Sequence, residues 1–130
     1  MTAPAGSSYR VRRARIHFLR KGATFDAEIA QTREELVRGL RDRRAPSPML
    51  FLFPYSSPWS MTMSGVRVSL DMLFLDDAGT VVDLIEEAPP QKLQIVPAKA
   101  CRYVLELPGG WANGMGLALG DRAMILPLVG

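Results

Sequence analysis

The sequence predicts a mainly β protein: a small antiparallel β-barrel-like or sandwich domain with one short α-helix packed on one side. Two observations indicate this fold class. Short apolar or alternating runs recur along the chain, separated by turns rich in glycine, proline and aspartate. Only one segment, which follows Thr32, has the spacing of an amphipathic helix.

The length and the N-terminal composition predict the extent of the domain. A chain of 130 residues corresponds to one domain with a sizeable core. Residues 1–8 are rich in Ala, Ser, Gly and Pro and are expected to form a disordered tail, which leaves residues 9–130 as the domain. No apolar run is long and continuous enough for a secretory signal or a membrane span, so we expect a soluble, cytoplasmic protein.

The first two strands are expected to form a β-hairpin. Polar and apolar residues alternate on both sides of a Lys21-Gly22 turn. Pairing Phe18 with Phe25 would bury one apolar face and place Arg15 opposite Glu28. Much of the positive charge near the N-terminus would then be neutralised locally.

The helix is predicted to begin at Thr32-Arg33-Glu34-Glu35, which has the spacing of a capping box. Leu36 and Leu40, with Val37 beside them, would form its buried stripe. We expect the helix to end within residues 42–46, because Pro46 disfavours helical geometry in the residue before it.

The rest of the chain is expected to consist of short strands joined by turns and loops. Residues 88–100 are expected to form an irregular loop. The glycine-rich residues 109–120 should support no more than one helical turn, around residues 111–117. The expected strands are residues 49–53, 61–63, 68–75, 80–86, 102–107 and 122–126.

The composition excludes several classes of site. The single cysteine, Cys101, allows no intrachain disulfide, and with one histidine, His17, the sequence offers no metal-ligand cluster and no Ser-His-Asp set. Neither a phosphate-binding loop nor a dinucleotide-binding pattern is present. We therefore expect no metal and no cofactor, and the sequence does not support an enzyme of these classes.

Several spaced motifs of this chain match those of one known family. They are Gly39-Leu40 with Arg43, Met49-Leu50-Phe51 with Phe53, Leu70-Asp71 with Phe74, Tyr103-Val104-Leu105-Glu106-Leu107, Gly110, and Gly120-Asp121. In these motifs the chain resembles the family known as domain of unknown function 192 (DUF192), and the resemblance covers roughly residues 25–125. The resemblance implies a compact β-barrel-like domain. It leaves the function open, because the function of that family is unassigned.

The chain departs from the family pattern before the Met49-Leu50-Phe51 strand, where Pro48 replaces a glycine, and again in the segment of residues 61–63. Where the family has Phe-Trp-Met, this sequence has Met61-Thr62-Met63, so the family tryptophan is missing. Trp59 lies three residues earlier in the sequence. It would supply an indole ring to the same region only if the local path of the chain differs.

Two acidic residues within apolar strands are the main candidates for a polar site. Asp71 lies between Leu70 and Met72, so it is expected either on a polar face or buried among hydrogen-bond donors. One interpretation is a structural carboxylate that bonds backbone amides; the other is an acid that orients a ligand. Glu106 shares a strand face with Val104 and can be interpreted in the same two ways.

The preferred functional hypothesis is a ligand-binding module. Its cleft would be formed by the methionine- and tryptophan-containing segment together with Asp71, and would bind a small molecule or a carbohydrate. The same methionines and aromatic residues could instead belong to the core. The candidate ligand-binding residues are Arg38, Trp59, Met61, Met63, Asp71 and Glu106.

Two alternative functions stay open at this point. A hydrolase would use Asp71 and Glu106 as a pair of acids, which requires their carboxyl groups to face each other. A nucleic-acid-binding protein would use the basic hairpin, where each phosphate contact makes the affinity depend on salt. The residues proposed for nucleic acid are Arg10, Arg12, Arg13, Arg15 and Lys21.

Overall fold

The computed structural model describes residues 12–129. The predicted disordered tail of residues 1–8, and Arg10, lie outside this range. The elements in chain order are β1 (Arg13–Phe18), β2 (Ala23–Ala30), α1 (Arg33–Arg38), β3 (Met49–Ser57), β4 (Leu70–Leu75), β5 (Val81–Ala88), β6 (Cys101–Pro108), α2 (Trp111–Met115) and β7 (Ala123–Leu128). The predicted mainly β fold class is confirmed.

The seven strands form one curled sheet, a half-barrel, in the order β5-β4-β6-β3-β2-β1-β7. Neighbouring strands are antiparallel except β2 and β3, which are parallel because α1 and the following residues carry the chain back between them. The two edge strands meet at one end of the sheet. There the Val81 amide donates to the Asp121 carbonyl, and the Ala123 amide donates to the Gly79 carbonyl.

This junction requires a glycine in the turn between β4 and β5. Gly79 has a φ of +85°, a backbone conformation that L side chains rarely adopt. A Cβ atom at this position would also clash with the carbonyl oxygen of Ala123. The turn can therefore approach the start of β7 closely enough to form backbone hydrogen bonds.

The β1–β2 hairpin forms as predicted, but its register differs from the predicted one by two residues. Phe18 pairs with Ala23, and Arg15 pairs with Asp26, where the prediction paired Phe18 with Phe25. The turn is tighter than expected, because the Lys21 amide donates to the Phe18 carbonyl and closes it. A shift of two residues leaves every side chain on its predicted face, since side chains alternate with a period of two.

Helix α1 begins as predicted and ends early. The Glu35 amide donates to Thr32 Oγ1 at 3.1 Å and the Thr32 amide donates to Glu35 Oε1 at 3.0 Å, which is the complete capping box. The helix ends at Arg38, because Gly39 adopts a φ of +48°. Leu40 is buried beyond the helix, whereas Val37 is 62% exposed, so the predicted buried stripe is wrong at Val37.

Residues 61–63 do not form the predicted strand. Only Met61 makes a β-bridge, and its partner is Ile95 in the long loop before β6. The segment instead lies over one face of the sheet, where Met61 and Met63 are buried. We call this face, which also holds Met49, Met72 and Val104, the methionine face.

The opposite face of the sheet has its own core, which includes Ile16, Leu73, Leu105 and Ala112. Because Ala112 belongs to α2, we call it the α2 face. Strand β4 is buried along its whole length, since it contributes side chains to both cores. The alternation of side chains along β4 and β6 therefore decides on which face each buried acid lies.

Candidate functional site

Asp71 lies on the α2 face and is completely buried. Its Oδ1 accepts from the amides of Glu87 at 2.8 Å and Gly110 at 3.2 Å, and its Oδ2 accepts from the amide of Ala112 at 2.8 Å. The carboxylate thus ties β4 to the end of β5 and to the first turn of α2. Of the two interpretations from the sequence, these contacts favour the structural carboxylate that bonds backbone amides.

Glu106 lies on the methionine face and is 3% exposed. In the sheet it is opposite Met49 of β3 on one side and Met72 of β4 on the other, and both methionines are buried. Its carboxyl group makes no hydrogen bond or ion pair with any residue of the range 12–129. Burial raises the pKa of Glu106 to about 8.

Glu106 faces an internal space of about 240 Å³, which we call the inner cavity. Its walls come from α1 and the following residues, from β3, and from the segment of residues 60–66. Two arginines, Arg38 and Arg41, have exposed side chains and therefore lie at its mouth. The other lining residues are Leu36, Val37, Gly39, Leu40, Phe51, Phe53, Ser60, Met61, Thr62, Ser64 and Val66.

A second space of about 630 Å³, the outer cleft, lies beside the inner cavity. The two share Leu36, Val37 and Phe53 as a common wall. Trp59 lies in the outer cleft and stacks on Phe53, with ring centroids 4.6 Å apart and an interplanar angle of 11°. The pair forms a flat aromatic surface at one side of the cleft.

Hydrogen bonds hold this aromatic surface in place. Trp59 Nε1 donates to the Tyr55 carbonyl at 2.9 Å, and Arg102 Nε donates to the Phe53 carbonyl at 2.6 Å. Polar and charged groups stand around the aromatic pair. The remaining lining residues of the outer cleft are Gln31, Arg33, Leu52, Pro54 and Tyr103.

The candidate residues from the sequence are distributed over three places. Arg38, Met61 and Glu106 line the inner cavity, and Trp59 lines the outer cleft. Met63 is completely buried in the core of the methionine face. Asp71 is on the opposite face, because it pairs in register with Leu107, whereas Met72 pairs with Glu106. Neither the inner cavity nor the outer cleft therefore includes Asp71. The predicted cleft, which combined Asp71 with the methionine- and tryptophan-containing segment, is corrected at this residue.

The same register separates the proposed acid pair. Asp71 and Glu106 lie on neighbouring strands, but their side chains point to opposite faces of the sheet. The two carboxyl groups do not converge on one site. The geometry that a two-acid hydrolase requires is therefore absent from this pair.

Sequence reasoning missed several lining residues of the inner cavity and the outer cleft. The sequence predicts Val37 as part of the buried stripe of the helix, and it gives no indication that Arg41 lines a cavity. Phe53 was recognised only as a strand residue. An available signal was the glycine at position 39, which ends α1 and directs the following residues over the sheet.

The basic residues of the hairpin mostly have acidic neighbours. Arg13 is opposite Glu28 in the hairpin register. The ion pairs are Arg12 with Glu35 at 3.0 Å, Arg15 with Asp26 at 3.0 Å and Lys21 with Asp121 at 3.8 Å. Arg10 lies outside the described residues, and nucleic-acid binding stays a prediction.

Other sites considered from the sequence are less prominent. Within residues 12–129, no group of three or more His, Cys, Asp or Glu side chains is arranged to hold a metal ion. Cys101 is buried, and burial raises the pKa of its thiol. Across the same range, no helix combines the length and the apolar character needed to cross a membrane.

Two comparisons of sequence relate this chain to known proteins. A family model for DUF192, described as Uncharacterized ACR, matches residues 16–125. A UPF0127 protein of Pyrococcus abyssi is 31% identical over 97 residues, which cover 73% of this chain and 81% of that protein.

Solved structures with the same fold are also known. A protein from Sinorhizobium meliloti 1021, provisionally named a transcription regulator, is 32% identical with a TM-score of 0.79, over 90% of this chain and 95% of that one. A protein of unknown function from Novosphingobium aromaticivorans DSM 12444 is 25% identical with a TM-score of 0.78, over 86% of this chain and 83% of that one.

Proposed function

The chain belongs to the uncharacterised DUF192 family, and we propose that it is a ligand-binding module whose ligand, a small molecule or a carbohydrate, occupies the outer cleft. The observation that carries the proposal is the stacked pair of Phe53 and Trp59 at the wall of a cleft of about 630 Å³. Cavities of this size that combine apolar walls with a few polar groups are typical of small-molecule sites.

The chemistry of the cleft fits a ligand with one flat apolar face and several hydroxyl groups. The face of such a ligand packs on the part of the indole ring of Trp59 that Phe53 and Tyr55 leave open, while Gln31, Arg33 and Tyr103 supply donors and acceptors at its edges. Because Trp59 is bonded through its Nε1 to the Tyr55 carbonyl, the ring loses little freedom when the ligand binds.

The test is a titration of isotope-labelled protein with a panel of mono- and oligosaccharides, in which NMR monitors the amide chemical shifts. We expect the shifts to be concentrated at residues 31–37, 52–54, 59 and 102–103. Trp59→Ala should lower the affinity of a binding sugar at least tenfold, because the stacking surface is removed.

Trp111→Ala is the matched control. Trp111 is 42% exposed in α2 and does not line the cleft, so its replacement should leave the affinity unchanged. If Trp59→Ala and Trp111→Ala change the affinity equally, or if the shifts lie elsewhere, the outer cleft is not the site.

Nucleic-acid binding is a second candidate. One relative at 32% identity is provisionally named a transcription regulator, and the hairpin of this chain is basic. We rank it second because Arg12, Arg15 and Lys21 already have acidic partners in the fold. The hydrolase using Asp71 and Glu106 is not proposed, since the two side chains face away from each other.

A further inference from the structure

The inner cavity holds a buried acid that forms no hydrogen bond or ion pair with residues 12–129. Buried polar groups in proteins are nearly always hydrogen-bonded, and a buried carboxyl without a partner is costly. Glu106 is 97% buried and has no partner among residues 12–129. Asp71, one strand away, shows that this fold is able to supply donors to a buried acid.

The groups around Glu106 explain why it has no partner. The flanking side chains in the sheet are Met49 and Met72, which offer no donor. Thr62, Ser60 and Ser64 line the same cavity, but none of them bonds to the Glu106 carboxyl. Within residues 12–129 the carboxyl therefore has methionines on both sides in the sheet, accepts no hydrogen bond, and opens toward the cavity.

Two charged groups besides Glu106 line the cavity. They are Arg38, at the end of α1, and Arg41, in the turn that follows, and neither forms an ion pair with Glu106. The neighbouring strands β3 and β4 contribute only methionines beside it, and the segment of residues 60–66 contributes only hydroxyl and apolar groups. The cavity thus has an acid at its floor and cations at its mouth, with space between them.

We propose that the inner cavity binds a small molecule whose primary ammonium group bonds Glu106 at the floor and whose carboxylate contacts Arg38 or Arg41 at the mouth. This inference goes beyond the proposed function and does not depend on it. The inner cavity has its own polar groups and its own volume.

The size of the cavity limits the ligand. At about 30 Å³ per water molecule, 240 Å³ corresponds to about eight waters, or to a ligand of about eight non-hydrogen atoms. An ammonium group neutralises the buried carboxylate, and the aromatic rings of Phe51 and Phe53 in the wall favour a cation further. A carboxylate at the floor would instead face the acid.

The experiment uses three probes with the same five-carbon chain: pentylamine, 5-aminopentanoate and pentanoate. Their affinities for the whole protein are measured by isothermal titration calorimetry. We expect 5-aminopentanoate to bind most tightly, pentylamine next and pentanoate least. Pentanoate binding as tightly as pentylamine would overturn the proposal, as would the absence of binding by both amines.

The pH dependence tests the role of Glu106 directly. Since the pKa of Glu106 in the empty cavity is raised to about 8, binding of an ammonium group below pH 8 must release a proton. The affinity for pentylamine should therefore rise about 50-fold from pH 6 to pH 8, and calorimetry in two buffers of different ionisation enthalpy should detect nearly one released proton at pH 6. An affinity for pentylamine that does not change with pH would contradict the proposal.

Three variants separate binding from folding. Glu106→Gln keeps the shape of the side chain and should abolish both the pH dependence and most of the amine affinity. The double variant Arg38→Ala/Arg41→Ala, at two exposed positions, should weaken the binding of 5-aminopentanoate about tenfold and leave that of pentylamine unchanged. Arg44→Ala is the control, because Arg44 is exposed and does not line the cavity. Equal effects of the Arg38→Ala/Arg41→Ala variant and of Arg44→Ala would show that the mouth does not bind the carboxylate.

Discussion

Asp71 and Glu106 are both buried on adjacent strands, yet their surroundings differ completely. Asp71 accepts three backbone hydrogen bonds, whereas Glu106 has no partner among the described residues and faces a cavity. Burial alone therefore does not reveal what an acid does in this fold. The number of donors around it separates the acid that holds the structure together from the acid that is available to a ligand.

The difference follows from the elements that cover each face. On the α2 face, the first turn of α2 and the end of β5 direct backbone amides at Asp71. On the methionine face, the covering segment of residues 60–66 brings methionine, serine and threonine side chains that form no hydrogen bond with Glu106. One sheet thus carries, at neighbouring positions, an acid bonded by three backbone amides and an acid that opens to a cavity and has no hydrogen-bond partner among residues 12–129.

The largest effect is expected from removing the satisfied acid. Asp71→Ala leaves the amides of Glu87, Gly110 and Ala112 without their acceptor, and should lower the free energy of unfolding by about 4 kcal/mol. Urea denaturation at pH 7 measures the change. The control is Asp77→Ala, because the side chain of Asp77 is 68% exposed, and its effect should be within about 0.5 kcal/mol. A loss below about 1 kcal/mol for Asp71→Ala would remove the distinction between the two acids.

The second effect has the opposite sign, because replacing Glu106 should raise the free energy of unfolding at neutral and higher pH. Burial raises the pKa of Glu106 in the folded state above its value in the unfolded chain, so the folded protein binds the proton more tightly. The free energy of unfolding therefore falls as the pH rises from the unfolded-state pKa toward about 8. Between pH 5 and pH 8 this loss should amount to about 3 kcal/mol, and Glu106→Gln should remove it.

Urea denaturation of both proteins at pH 5 and pH 8 tests this expectation. Glu106→Gln should be the more stable protein at pH 8, and the difference should shrink at pH 5. Glu34→Gln, an exposed substitution on α1, is the matched control and should change neither value. A wild-type protein at least as stable as Glu106→Gln at pH 8 would show that an unseen partner satisfies the acid.

The smallest effect concerns a third acid, Glu28, which is partly buried and bonded by side chains. A hydrogen bond from Arg43 is the main cause that lowers the pKa of Glu28, and Ser47 also donates to it. Arg43→Met should cost about 1 kcal/mol at pH 7. Because the pKa of Glu28 is lowered in the folded state, this contribution is present at neutral pH and should be lost as the pH falls below about 4.

Thermal unfolding at pH 7 and pH 3 compares Arg43→Met with Arg44→Met. The second variant removes an arginine next in sequence that makes none of these contacts. A difference between the two variants at pH 7 that disappears at pH 3 is the expected result. If the difference persists at pH 3, Arg43 stabilises the fold through packing and not through the acid.

Local features of this fold could be predicted from the sequence. The capping box at Thr32 and Glu35 involves residues three apart, so their spacing alone predicts the start of α1. The alternation in β6 likewise places Glu106 and Val104 on one face, as the structure confirms. Both inferences depend only on neighbours in the chain.

That Asp71 and Glu106 lie on opposite faces of the sheet could not be predicted in the same way. It depends on the register of β4 against β6, which pairs Asp71 with Leu107 and not with Glu106. That register is set by packing between segments about 35 residues apart, and neither strand alone contains it. The inner cavity has the same origin, since α1, β3 and the segment of residues 60–66 meet only in the folded chain.

The position of β1 in the sheet affects how the chain folds during its synthesis. Although it comes first among the described strands, β1 lies inside the sheet between β2 and β7, with its second edge covered by the last strand of the chain. During synthesis that edge stays open until β7 leaves the ribosome, so a nascent chain exposes a row of unpaired backbone groups to other chains. A translation arrest before residue 123 should therefore yield an aggregation-prone product.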